Sequence, residues 1–154
     1  IIARIYRNLG LQRELVFSQE SDLGSETQLM PPEIPHFDLS TKMVSALGFG
    51  MVEVSSYGPG IEQEVKNKLR DLCHEGIAVV YLNLPIGDPR TAVLCQRFEE
   101  LGFFFSGIQP RPDGKDLLCL QYLNGPHIDY DLLQIYSDFG KELVEYIREQ
   151  DPLT

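Results

Sequence analysis

Residues 77–84 read Ile-Ala-Val-Val-Tyr-Leu-Asn-Leu, a nearly continuous apolar run with an amphipathic segment on either side. Such a run predicts a central strand covered on both faces. Upstream, Ile61, Val65, Leu69 and Leu72 share one helical face, while Lys66, Lys68, Arg70 and Asp71 point elsewhere, up to a stop at Gly76. Downstream, Asp88-Pro89 supplies an N-cap and a first-turn proline for a helix that runs to Leu101 and stops at Gly102. A buried strand between two amphipathic helices restricts the chain to a mixed α/β sheet.

The flanking segments extend that pattern. Residues 1–9 carry apolar residues at helical spacing and end at Gly10. Residues 11–18 are expected as a strand, and 18–35, with Gly24, Pro31, Pro32 and Pro35, as a long polar loop. Residues 37–47 and 50–56 predict a hairpin around Gly48 and Gly50. Residues 103–109 and 116–123 predict a second hairpin across Arg111-Pro112-Asp113-Gly114. A last helix is expected over 129–150, with Leu132, Tyr136, Phe139, Leu143 and Ile147 as one stripe and Gly140 marking close packing or a bend.

Bulk properties exclude several function classes. The 154 residues fit one domain, and 43% apolar with 23% charged residues is ordinary for a globular protein. The net charge of -10 argues against nucleic acid, and no apolar run reaches the length of a membrane span. Cys73, Cys95 and Cys119 lack metal-ligand spacing and read as small buried hydrophobes of a reducing cytoplasm. His36, His74 and His127 are scattered and receive no role. A start at Ile1 without a signal-peptide layout predicts a piece of a longer protein.

The candidate site is the turn that joins the strand over 50–56 to the next helix, Ser55-Ser56-Tyr57-Gly58-Pro59-Gly60-Ile61. A strand that stops at Gly-x-Gly and opens a helix aims backbone N–H groups and a positive dipole end at one point, which favours a pyrophosphate. A plain tight turn has the same pattern. Pro59 removes one donor, and Glu62 and Glu64 in the first helical turn repel an anion. Along the sequence, no Lys or Arg follows the turn more closely than Lys66.

Residues 40–123 resemble the GNAT superfamily of N-acetyltransferases. Ser55-x-x-Gly58-x-Gly60 is similar to that family's Gln/Arg-x-x-Gly-x-Gly/Ala turn, with Ser in the first place. Phe98-Glu99-Glu100-Leu101-Gly102-Phe103 is similar to its Tyr-x-x-x-Gly-Phe pattern. The resemblance implies a mostly antiparallel mixed sheet flanked by helices, with a long C-terminal helix. It divides the chain into 1–35, a helix and irregular segment that belongs to this domain or to a preceding unit, 36–124 as the core, and 125–154. It implies acetyl-CoA as cofactor, with Ser55, Ser56, Gly58, Gly60, Ile61 and Thr91 around it. Thr91 stands where the family often has Asn, and Phe98, without a hydroxyl, stands where it often has the acid tyrosine.

Glu53 is then the candidate base and Tyr57 the replacement acid; the simpler reading of Glu53 is an outward-facing strand residue, and packing at the strand end explains Tyr57 equally. Tyr81 and Asn83 lie where the acyl group would be held. The stretch 103–110 with Leu120-Gln121-Tyr122-Leu123 is also similar to GNAT-like domains that follow an ATPase or anti-sigma-type kinase module in bacterial regulatory proteins. Two functions are expected from this: an acyl-CoA-binding N-acyltransferase, or a catalytically degenerate module that contacts other domains of its parent protein or a homodimer mate.

Overall fold

The computed structural model describes residues 1–13 and 36–154. Residues 11–13 are not strand, and the rest of the expected strand over 11–18, with the polar segment 18–35, lies outside the described residues. The chain forms α1 (Ile2–Asn8), β1 (Asp38–Val44), β2 (Phe49–Ser56), α2 (Ile61–His74), β3 (Val79–Pro85), α3 (Arg90–Glu100), β4 (Phe104–Gln109), β5 (Leu117–Leu123) and α4 (Asp138–Gln150). The five strands make one sheet in the order β1-β2-β3-β5-β4. Among the described residues only β2 and β3 run parallel; the other three neighbouring pairs are antiparallel. The mixed, mostly antiparallel sheet and both hairpins agree with the sequence.

Register explains the single core. Val54 on β2, Leu82 and Leu84 on β3, Leu118 and Leu120 on β5 and Phe105 on β4 alternate onto one face. Ile61, Val65, Leu69 and Leu72 of α2, Leu94 and Phe98 of α3 and Ile5 of α1 join the same cluster. Each such buried side chain contributes about 1.5–3 kcal/mol. The fully buried Phe98 is a core residue here. The opposite face carries Phe49, Met51, Glu53, Tyr81, Asn83 and Cys119. Val79 and Tyr81 there are half-buried, so β3 is not covered equally on both faces as its apolar run suggests.

Local signals place the helix ends. The Asp88 carboxylate accepts from the Arg90 N–H at 3.0 Å, one residue ahead of the expected place, since the N-cap residue of α3 is Pro89. At its other end Gly102, with φ +94°, lets the Phe103 N–H turn back to the Phe98 carbonyl at 3.2 Å. The last helix is shorter than expected. It starts at Asp138, because the Ser137 hydroxyl accepts from the Gly140 N–H at 3.0 Å and caps it there. A Cβ on Gly140 would meet Ile135 at 2.7 Å, so this glycine marks close packing. Residues 130–132 form a separate 3-10 turn, capped by Asp129. Leu132 and Tyr136 are therefore off the stripe and exposed, whereas Phe139, Leu143 and Ile147 pack on the core. Tyr146 meets Phe105 edge-on at 5.4 Å.

The three cysteines are free and half-buried rather than fully enclosed. Burial, aided by the nearby Glu99, pushes the Cys95 thiol up to about 12, and burial with the Glu53 charge pushes Cys119 to about 11. Neither is a thiolate near neutral pH. Among the described residues no group of His, Cys, Asp or Glu could hold a metal ion, and no helix is long and apolar enough to cross a membrane.

Candidate functional site

The sheet opens where the glycine turn begins. The β2–β3 ladder runs from Phe49–Val79 to Glu53–Asn83 and stops. Both strands continue past that point, β2 to Ser56 and β3 to Pro85, where β3 still pairs with Leu117 of β5. Two parallel strands that stay extended after their ladder ends form a fork. The Gly58-Pro59-Gly60 turn lies at its mouth, on the β2 side.

The two glycines of the turn have different causes. A Cβ on Gly58 would sit 2.6 Å from the Phe37 N and 2.8 Å from the His36 carbonyl carbon, so close backbone packing requires it. Gly60 has φ +83° and open space around its Cα; it is the left-handed residue that starts α2. Ile61, expected beside a cofactor, is 1% exposed in the core, and its N–H is spent on the Gly58 carbonyl at 3.3 Å. Ser55 is exposed on the opposite side of the sheet, and Ser56 is half-buried at the end of β2.

Between α2 and α3 lies an open cleft of about 730 Å³, lined at one end by Gly58 and Gly60 and along its walls by Lys66, Arg90 and Arg97. These two arginines come from α3, which sequence distance hides. Arg90 approaches the turn more closely than Lys66 suggests: its Nη1 donates to the Tyr57 carbonyl at 3.3 Å, and its guanidinium lies 5.4 Å from the Tyr57 ring centre. The helical spacing from Arg90 to Arg97, two turns apart on one face of a predicted helix, is the signal that was available. Carboxylates meet both. Asp88 holds Arg90 through Nε at 2.9 Å and Nη2 at 2.6 Å, and Glu62 holds Arg97 at 2.9 Å across the cleft. Burial, then the neighbouring Glu100, raises the Glu62 carboxyl above its ordinary range.

Beneath the turn, Tyr57 and Thr91 are brought together. The Tyr57 hydroxyl shares a 2.8 Å hydrogen bond with the Thr91 hydroxyl, which donates to the Pro85 carbonyl at 2.6 Å. This chain spans the fork from the end of β2 to the end of β3. Tyr57 is fully buried, and desolvation holds its phenol well above the usual value. Glu53 lies apart from these residues, on the opposite face. The Arg111 Nη2 donates to both of its carboxylate oxygens, at 2.8 and 2.9 Å. Register puts Asn83 and Cys119 in the same row as Glu53.

Arg111 is held in turn. Its N–H donates to Asp116 at 2.8 Å and its carbonyl accepts from Arg13 at 3.3 Å. Asp116 also accepts from the Arg13 Nε at 2.8 Å, and that guanidinium lowers its carboxyl below the usual range. No signal at the sequence level joins residue 13 to residue 116.

No protein-family model matches this chain, and no curated protein matches it. Among solved structures it is similar to the N-terminal domain of a ribosomal-protein-alanine acetyltransferase from Clostridium acetobutylicum. That likeness has 21% identity and a TM-score of 0.40, and it covers 55% of this chain and 71% of the other. It is also similar to the ribosomal-protein-S18-alanine N-acetyltransferase from Escherichia coli, with 18% identity and a TM-score of 0.42, covering 63% of this chain and 65% of that one. At these values the likeness carries no information on ligand or substrate, which rest on the residues themselves.

Proposed function

We propose that this chain is a divergent GNAT-like domain that binds an acyl-CoA through its pyrophosphate in the α2–α3 cleft, as an acetyl-CoA-dependent N-acyltransferase. One observation carries the reading: the parallel β2–β3 ladder stops at Glu53–Asn83, with the glycine turn and the N-terminus of α2 at the fork. A helix N-terminus there favours phosphate, and Lys66, Arg90 and Arg97 add positive charge. In this reading Gly60 lets the ligand approach the backbone, Thr91 and Tyr57 support the turn from below, and Glu53 is the base on the acceptor side.

A specific observation favours a second reading, a domain without turnover that serves regulation or interaction. The Tyr57 hydroxyl is enclosed and bonded to Thr91, and Glu53 is neutralised by Arg111. Neither group is poised for proton transfer.

Thermal unfolding with coenzyme A and acetyl-CoA tests the binding. A ligand at 100 times its dissociation constant stabilises by about 2.7 kcal/mol, which is about 5–10 °C in Tm for a domain of this size. The shift is expected in the natural chain and lost in Lys66→Glu, an exposed substitution on the cleft wall. No shift at millimolar coenzyme A ends the proposal. A shift without acyl transfer to any amine favours the second reading.

A further inference from the structure

The two arginines that line the cleft are paired with carboxylates of different character, Glu62 inside the lining and Asp88 behind it. Arg90–Asp88 is the inner pair: both side chains are largely enclosed, at 13% and 19% exposure, and Asp88 also accepts from the Arg90 N–H. Arg97–Glu62 is the outer pair, at 34% and 41% exposure, and it joins α3 to α2 across the opening. A carboxylate on an arginine stands in for the oxygens of a phosphate, since both accept from the same guanidinium edge. Glu62 also faces Glu100, so the acidic side of the opening carries two like charges. Glu64, two residues on, points to Lys68 at 3.5 Å instead.

We infer that Glu62 is a built-in competitor for the cleft: a diphosphate enters by replacing the Glu62 carboxylate on Arg97, while Arg90 stays with Asp88. This rests on the anion-binding reading of the cleft, and it makes Glu62 the residue that sets affinity and restricts entry to strongly charged ligands. The chemistry recognised is a diphosphate, whether from coenzyme A or from a nucleoside diphosphate. Protonation of Glu62 acts in the same direction as its removal, so binding tightens as pH falls toward the Glu62 range. The charged groups facing it are Arg97 and Glu100 from α3 and Lys66 from its own helix.

Calorimetric titration of inorganic pyrophosphate, ADP and coenzyme A into the natural chain, Glu62→Gln and Glu64→Gln tests this. Glu64→Gln removes the same charge from the same helical turn without touching Arg97, and both substitutions keep side-chain shape. Glu62→Gln is expected to tighten pyrophosphate and coenzyme A by about 5- to 10-fold, and Glu64→Gln by less than about 2-fold. Equal effects of the two overturn the competition and leave the cofactor reading intact. Tightening of pyrophosphate and ADP by Glu62→Gln with no coenzyme A binding supports the competition and removes coenzyme A as the ligand. No binding of any probe to any variant overturns both.

Discussion

At the β4–β5 turn, Asp116 accepts from Arg13 and from the Arg111 N–H, and its side chain is 1% exposed. Across the α2–α3 cleft, Glu62 holds Arg97 with 41% of its side chain exposed. The residue types and the bond lengths, 2.8 and 2.9 Å, are nearly the same. The surroundings differ, and so does the consequence. The enclosed Asp116 carboxylate cannot lose its donors without being left a desolvated charge, whereas an exposed pair exchanges its partner for water or for an anion at little cost. The first arrangement fixes the backbone that carries Arg111 to Glu53. The second leaves a cleft that can change its contents.

The largest expected break in that contrast is Asp116→Ala, which takes the carboxylate from the part-exposed Arg13 and leaves the Arg111 N–H without its acceptor; urea unfolding should show a loss at the upper end of about 1–3 kcal/mol. The Asp116 carboxyl lies lower when folded than when unfolded, so its contribution is complete above about pH 4. It is lost as pH falls through the folded value. Asp116→Asn should therefore flatten the acid limb of a stability–pH curve, and an unchanged limb would place the acid sensitivity elsewhere.

Thr91→Val lies between the extremes, since it leaves the buried Tyr57 hydroxyl without a partner and takes one of two donors from the Pro85 carbonyl, which keeps the Asp88 N–H. About 1–3 kcal/mol is expected from it, against about 1 kcal/mol for Tyr57→Phe, which leaves the Thr91–Pro85 bond in place. Equal losses would show that Thr91 does not bridge the fork. The smallest effect belongs to Glu62→Gln, within about 0.5 kcal/mol in chemical denaturation. A large loss there would make the cleft pair structural and erase its difference from Asp116.

The parts legible in the sequence are those that one local signal determines. The 77–84 run, the helical face of Ile61 to Leu72 and the Gly102 stop each follow from spacing within one element. The start of α4 is not legible, because Leu132 and Tyr136 continue its apolar spacing while the decisive signal is the Ser137 cap that interrupts it. The site was less legible still. Gly58 looked like a phosphate-binding glycine, yet its tight neighbours are His36 and Phe37. Arg90 reaches the turn and Arg97 reaches Glu62 only because α3 packs beside α2, and Glu53 meets Arg111 only because the β4–β5 turn reaches that row. Contacts between elements have no trace in the periodicity of either one.

The ladder that ends at Glu53–Asn83 has a mechanical meaning too. β1 and β2 form one antiparallel block and β3, β5 and β4 another; five registered pairs, extended by the Ala78 and Val79 N–H bonds to the Gly48 carbonyl, make the strand seam between them. The β1–β2 and β4–β5 pairs close over short loops, whereas this seam closes only across α2, so its loop-closure cost exceeds that of either hairpin. The sheet thus resembles a zip fastened from one end, whose free end is the mouth at Gly58-Pro59-Gly60.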